Sequence, residues 1–162
     1  MDKRFSYYPY LMQLATFGSG INTSTALAQW AYETAYGTSN LWKNNKNPAG
    51  IKCHGARNCK DGFRSYANAL FGFYAYVDFL RDNKRYKKAF EKKTTEEQLK
   101  EIELAGWNGQ YTGTYTANCI SIVNSNDLKK FDTFPKIYLV LGFGLVLILF
   151  ARYEKLNFIT RS

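Results

Sequence analysis

The sequence predicts a mainly α-helical domain with one short irregular or hairpin insert, followed by a single C-terminal transmembrane helix. Three observations carry this prediction. Apolar residues recur at helical spacing through most of the first 130 positions, between cap-type residues and glycines. The stretch Asn44–Tyr66 breaks the pattern with Asn and Gly and holds two of the three cysteines. Near the end, "IYLVLGFGLVLILFA" (Ile137–Ala151) carries no charge at all.

Taken in order, residues 5–16 read as a first helix, and "FGSGINTST" is a loop with Gly18, Gly20 and the cap-type Asn22, Thr23 and Ser24. A second helix runs from Thr25 to Tyr36 and stops at Gly37, with Leu27, Trp30, Ala31 and Ala35 at helical spacing. Asn44–Tyr66 forms the insert. Helices over 67–83 and 85–92 follow, and another opens at "TTEEQLKEIELAG", where Thr94 or Thr95 caps, Glu97 sits early and Gly106 ends the element. "WNGQYTGT" is a loop, and Tyr115–Ser125 begins a last helix leading to "NDLKKFD".

At 162 residues the chain holds one domain with a real core and a short appendage. Aromatics reach 17%, a level that serves either an extended binding surface or a packed core. The net charge of +9 and pI of about 9.4 imply a polyanionic neighbour such as nucleic acid, an anionic membrane or an acidic wall. Much of that charge lies in "NKRYKKAFEKK", Asn83–Lys93, which also reads simply as a solvated helix face. No zinc finger, RNA-binding aromatic motif or basic zipper is present, so no nucleic-acid partner is expected. Cys53 and Cys59 in "CHGARNC" are close enough for a disulfide if the protein works outside a reducing cytosol. With His54 they are too few for a metal site, and neither metal nor cofactor is expected. Cys119 lies in an apolar pattern as a small buried hydrophobe.

The layout follows: a soluble domain over 1–133, a transmembrane helix over 134–153 and a short basic tail over 154–162. The uncharged run 137–151 is shorter than the ~20 residues of a full span. Phe134 and Tyr153 flank it as interfacial aromatics, however, and Lys136 and Arg152 can snorkel. A buried core helix is the alternative; the lack of any polar stripe favours the membrane. Lys129, Lys130 and Lys136 before the run balance Arg152, Lys155 and Arg161 after it, so charge does not orient it. "MDKRFSYYPYLMQLATF" does not read as a secretory signal, because Pro9 interrupts it.

One carboxylate stands out. In "ALAQWAYETAYGTSNLW" (Ala26–Trp42) the single acid is Glu33; the neighbouring acids in sequence are Asp2 and Asp61. Glu33 falls in the last turn of its helix, beside the negative end of the helix dipole and among Trp30, Tyr32, Tyr36 and Trp42. A solvated surface charge is the plain reading. A proton donor in a cleft is the other, since those surroundings favour a carboxyl that holds its proton.

The blocks "ALAQWAYETAYGTSNLW", "NPAGIK", "FRSY", "RYKKAF", "LAGW" and "YTANCISIV", in that order, resemble the bacterial glucosaminidase family of peptidoglycan hydrolases. This is glycoside hydrolase family 73, of the flagellar rod-cap and autolysin type, and the resemblance spans roughly Phe5 to Asp132. It implies an α+β lysozyme-like fold and assigns Glu33 of "ETAYG" as the catalytic acid. Asn47, Gly50 and Ile51 match the family's asparagine-to-"GIK" turn, while Pro48 and Ala49 replace bulkier residues. Phe63, Arg64 and Tyr66 match the entry into the next helix. Trp107 departs from the family's usual tyrosine, and Tyr115 matches the tyrosine bordering the cleft.

The second carboxylate is the larger departure, because the family's longer hairpin with its glutamate has shrunk here to "CHGARNCKDG". Either Asp61 takes that role, or Glu33 works with help from the substrate's own N-acetyl group; Asp61 also reads as an ordinary Asp-Gly turn. The implied reaction is hydrolysis of the β-1,4 bond between N-acetylglucosamine and N-acetylmuramic acid, with Tyr36, Trp107, Tyr111 and Tyr115 offering faces and hydroxyls to the sugars. A wall hydrolase with a C-terminal anchor suits a membrane-containing bacteriophage, with the enzyme in the virion membrane and other virion or capsid proteins as partners. A bacterial envelope protein is the alternative location. A catalytically inactive wall-binding or structural membrane protein is the alternative function.

Overall fold

The computed structural model describes residues 2–53 and 58–133. Seven helices and one small hairpin make up this part: α1 (Tyr8–Thr16), α2 (Thr23–Thr34), α3 (Asn40–Asn45), β1 (Cys59–Lys60), β2 (Phe63–Arg64), α4 (Ala69–Asp82), α5 (Lys87–Phe90), α6 (Thr95–Leu104) and α7 (Thr114–Asn126). Short 3₁₀ turns cover Lys3–Phe5, Lys84–Tyr86 and Leu128–Phe131. The predicted mainly α class with a hairpin insert is therefore observed. The expected membrane helix and basic tail lie outside the described residues, among which no helix is long and apolar enough to cross a membrane.

The hub is α2, which packs against α1, α6, α7 and the Leu128–Phe131 turn. Every residue from Thr23 to Ala31 is buried, on all sides of the helix. Small residues such as Ala26, Ala28 and Ala31 let the neighbours approach, and the buried side chains of Thr23, Ser24, Thr25 and Gln29 are hydrogen-bonded, as burial requires. Ser24 donates its backbone N–H and its hydroxyl to the Asp132 carboxylate at 2.7 Å each, and Thr25 donates to Gln98 Oε1 at 2.9 Å. These bonds fasten the start of α2 to α6 and to the end of the domain.

The aromatic excess is largely core. Trp42 stacks on Phe73 at 5.3 Å, Trp30 meets Trp42 edge-on at 5.5 Å, and Tyr8 lies 5.4 Å from Trp42. Such pairs add directional contacts to apolar burial.

Local chemistry explains where elements differ from their sequence-based bounds. The first helix begins at Tyr8 rather than residue 5, because Ser6 turns the chain (φ 43°) and Pro9 belongs in a first turn. The second begins at Thr23, earlier than expected, where the Asp132 carboxylate accepts the first-turn N–H of Ser24. Helix α3 was not predicted; it is six residues long, too short for a periodic signal, and Ser39 caps it by accepting from Trp42 N–H at 3.2 Å. Helix α6 opens on a full capping box between Thr94 and Glu97, as the sequence implied.

Glu103, buried near the end of α6, accepts from the backbone N–H of Gly113 at 3.0 Å and of Thr116 at 2.9 Å, and from the Thr116 hydroxyl. It thereby caps α7 from a neighbouring helix. Burial alone would raise its carboxyl, but the bonds from Thr116, Thr112 and Tyr115 outweigh that and hold it below the ordinary value of 4.5. A depressed carboxyl contributes stability above its unfolded value and loses it as pH falls through the folded value. We expect Glu103→Gln to cost about 1–3 kcal/mol near pH 7. The gap to wild type should close on acidification through the carboxylate range, read by denaturant melts at several pH values.

Candidate active site

Glu33 occupies the last turn of α2, half-buried, immediately before a sharp exit from the helix. Three successive left-handed residues make that exit: Ala35 (φ 48°), Tyr36 (φ 57°) and Gly37 (φ 78°). For the first two the conformation costs on the order of 1–2 kcal/mol each. The surroundings hold it in place, with Tyr36 N–H donating to Ala31 O at 2.8 Å and Gly37 N–H to the Thr34 hydroxyl at 2.8 Å. A Cβ on Gly37 would lie 2.9 Å from the Trp30 ring, so only glycine closes this turn. Strain next to a lone carboxylate is a feature of sites whose geometry matters more than local stability.

The Glu33 carboxylate lines a cleft of about 320 Å³. The rest of the wall comes from Ala49, Gly50, Ile51 and Lys52, from Phe79 of α4, from Arg85 and Tyr86, and from Trp107 and Asn108. Glu33 is the one carboxylate among the described residues lining it. Residues 54–57 are His, Gly, Ala and Arg and add none.

The indole N–H of Trp107 donates to Glu33 Oε1 at 2.8 Å. Tyr86, Tyr76 and Phe79 hold the indole on its flanks at ring distances of 5.6, 6.0 and 6.1 Å. One carboxylate oxygen is thus fixed, while Oε2 has no protein partner among the described residues. Behind this pair lies Gln29, one turn before Glu33 and fully buried; it accepts from the Tyr76 hydroxyl and donates to the Tyr115 hydroxyl at 2.9 Å. Burial, with smaller contributions from Cys119 and Glu33, pushes both phenols well above the ordinary tyrosine value, so both stay protonated. Burial also pushes the Cys119 thiol up to about 12, which makes it inert packing.

Asn47 builds the facing wall. Its fully buried side-chain amide accepts from the backbone N–H of Ile51 at 3.0 Å and of Ala49 at 3.3 Å, and donates to the carbonyls of Ile51 at 2.9 Å and Arg64 at 3.0 Å. One side chain therefore supplements the isolated Lys52–Phe63 bridge that ties this irregular segment to the hairpin. The hairpin behind it pairs Cys59 with Arg64 and Lys60 with Phe63, and a Cys53–Cys59 disulfide closes the loop with a Cα–Cα distance of 5.7 Å.

Of the residues singled out from sequence, Glu33 and Trp107 meet in the cleft. Tyr115 is buried beneath them, with its ring in the core and its hydroxyl on Gln29. Tyr36 packs on Phe5 and under the Arg4 guanidinium at 4.2 Å, and it is not among the described cleft residues. Tyr111 is exposed in the loop before α7 and Asp61 is exposed at the hairpin tip; neither is among the described cleft residues. Asp61 (φ 53°) and Gly62 (φ 79°) both have positive φ, which matches the two-residue turn favoured between antiparallel strands. Among the described residues no three His, Cys, Asp or Glu side chains gather as a metal site requires. Sequence reading missed Gln29, Phe79, Arg85, Tyr86 and Asn108. For Gln29 the i−4 spacing from Glu33 on one helix was the available signal.

Replacing Trp107 by Phe keeps the ring packing and removes the N–H. On the reading of Glu33 as a proton donor, hydrolysis should fall about 10–100-fold, the worth of a charge-assisted bond that positions the acid, with little change in melting temperature. Parallel rate and melting measurements check both parts.

Solved structures share this fold. The glycoside hydrolase domain of FlgJ from Salmonella typhimurium matches with a TM-score of 0.66 at 20% identity, covering 90% of this chain and 98% of that one. The catalytic domain of the autolysin Auto from Listeria monocytogenes matches at 0.68 and 18%, covering 80% and 85%. The peptidoglycan hydrolase from Sphingomonas sp. A1 matches at 0.61 and 21%, covering 75% and 86%. At such identities the likeness speaks for the fold alone. A search of curated proteins gave no match. The family model for glucosaminidase, described as mannosyl-glycoprotein endo-beta-N-acetylglucosaminidase, matches residues 10–128.

Proposed function

The chain belongs to the glucosaminidase family, and from that membership we propose that it is a peptidoglycan hydrolase, an endo-β-N-acetylglucosaminidase that cuts the β-1,4 glycan backbone of the bacterial wall. One observation carries this reading: a single carboxylate among the described lining residues, oriented by an indole N–H, stands in a cleft walled by aromatic rings, backbone and the basic Lys52 and Arg85. The fold shared with the two named wall-lytic enzymes, from Listeria and Sphingomonas, supports it.

Protonated Glu33 gives its proton to the glycosidic oxygen as the bond from that oxygen to C1 of N-acetylglucosamine breaks. The Trp107 N–H then steadies the carboxylate that remains. Because Asp61 lies outside the described cleft lining, the placement supports the substrate-assisted course, in which the acetamido oxygen bonds to C1 and water later displaces it. Glu33 takes the proton of that water, and the configuration at C1 is retained. On this course Asp61→Asn keeps its rate within about threefold of wild type. A loss near a hundredfold would make Asp61 the second carboxylate.

Product chemistry tests the activity itself. Full-length protein should release fragments from purified peptidoglycan whose new reducing ends, after borohydride reduction, are N-acetylglucosaminitol. New muramic ends would overturn the assignment, and retention on the wall without cutting would favour the inactive wall-binding role. The uncharged run 137–151, flanked by Lys136 and Arg152, supports a membrane anchor for this activity. An anchored lytic enzyme fits the virion membrane of a bacteriophage, and virion membranes purified without the protein would remove that setting.

A further inference from the structure

A second depression adjoins the cleft. It measures about 780 Å³, more than twice the cleft, and shares Phe79 with it. Lys84, on its rim, directly precedes Arg85 of the cleft wall, so the two form one continuous surface along the end of α4. Their chemistry differs. The cleft offers three aromatic rings, which suit sugar faces, with Lys52, Arg85 and the one carboxylate of Glu33. The second groove offers four charged side chains, Arg64, Asp78, Asp82 and Lys84, together with Asn83 and a single aromatic ring.

These charges are incompletely matched among themselves. Asp78 and Asp82 both lean on the one guanidinium of Arg81, at 2.6 and 3.4 Å. Lys84 has no ion pair among the described residues. Arg64 lines the groove, and its Nε–H is buried with no acceptor among the described residues. A groove with unmatched charges of both signs fits a ligand carrying acids and an amine on one short chain. Resting on the peptidoglycan reading above, we propose that this groove is a second binding site, for the peptide substituent of the glycan strand. In that polymer the free carboxylates and amine sit on the peptide borne by the muramic sugar next to the scissile bond, so a groove beside the cleft is within reach of it.

The test uses full-length Glu33→Gln protein, which binds without cutting, and two soluble ligands: glycan chains with their peptides, and the same chains stripped by an amidase. Peptide-bearing chains should bind at least about tenfold tighter. Adding Asp82→Asn with Lys84→Gln, both surface changes, should collapse that ratio to near one. A ratio near one at the outset, or a ratio the added substitutions leave intact, overturns the groove assignment. Wild-type protein that leaves the chains uncut while the peptide-dependent ratio persists removes the hydrolase reading and keeps the groove. Absence of binding to both ligands overturns both.

Discussion

Glu33→Gln should lower the release of reducing ends from purified peptidoglycan by about 10²–10⁴-fold, the range contributed by a positioned proton donor. The substitution is nearly isosteric. Its amide oxygen can still accept from Trp107 Nε1, as Oε1 does at 2.8 Å, so the packing among Tyr76, Phe79 and Tyr86 stays. What is lost is the acidic proton. No other carboxylate lines the cleft among the described residues, so no neighbour can take over. The side chain is half-buried at a helix end, and the fold should keep its melting temperature within about 2 °C of wild type. Peptidoglycan binding should persist in the same variant. Wild-type rates would remove Glu33 from the chemistry, and a fall in rate accompanied by an equal fall in binding would assign it to substrate contact instead.

The legibility of this site in the sequence follows from how local each signal is. Glu33 and the turn after it are written in one contiguous stretch, helix, acid and glycine; the structure keeps Glu33 in the last turn as read but ends the helix at Thr34, two residues before the expected Tyr36. The capping box at Thr94 and Glu97 is equally local, and so is the Asp61–Gly62 turn. Trp107 was singled out as a sugar platform, whereas its indole N–H serves the acid 74 positions away, a pairing that only the folded chain creates. Tyr115 misleads for a related reason. A tyrosine at the start of a helix can face either way, and here the buried Gln29 amide draws its hydroxyl inward. Phe79 and Tyr86 carry the same signature as core aromatics, and Tyr86 is indeed buried at one face while bordering the cleft at another. Periodicity reports burial; it does not report which cavity a ring edge lines.

Gly72→Ala is the change that should do most damage to the fold, and helix propensity gives the wrong sign for it. In the interior of α4, glycine to alanine normally stabilises by about 0.5–1 kcal/mol. At Gly72, however, a Cβ would stand 2.1 Å from the carbonyl oxygen of Lys46, a backbone atom rather than the end of a flexible side chain. Lys46 is itself the left-handed residue (φ 51°) that ends α3, and Asn47 follows it directly, so the chain there has little freedom to retreat. Relieving the clash means moving the Lys46–Asn47 backbone, which strains four hydrogen bonds of the Asn47 side chain and shifts the cleft wall at Ala49–Lys52. Overpacking of this kind costs about 3 kcal/mol or more, on the order of 10 °C in melting temperature for a domain of this size. Gly50 supplies the contrast: a Cβ there meets nothing within 4 Å, and only its positive φ (62°) opposes alanine, at a cost of roughly 1–2 kcal/mol. Melting curves of the two variants should therefore rank Gly72→Ala well below Gly50→Ala. A Gly72→Ala protein as stable as wild type would show that α4 and the Asn47 turn do not pack backbone to backbone, and the cleft would lose its facing wall.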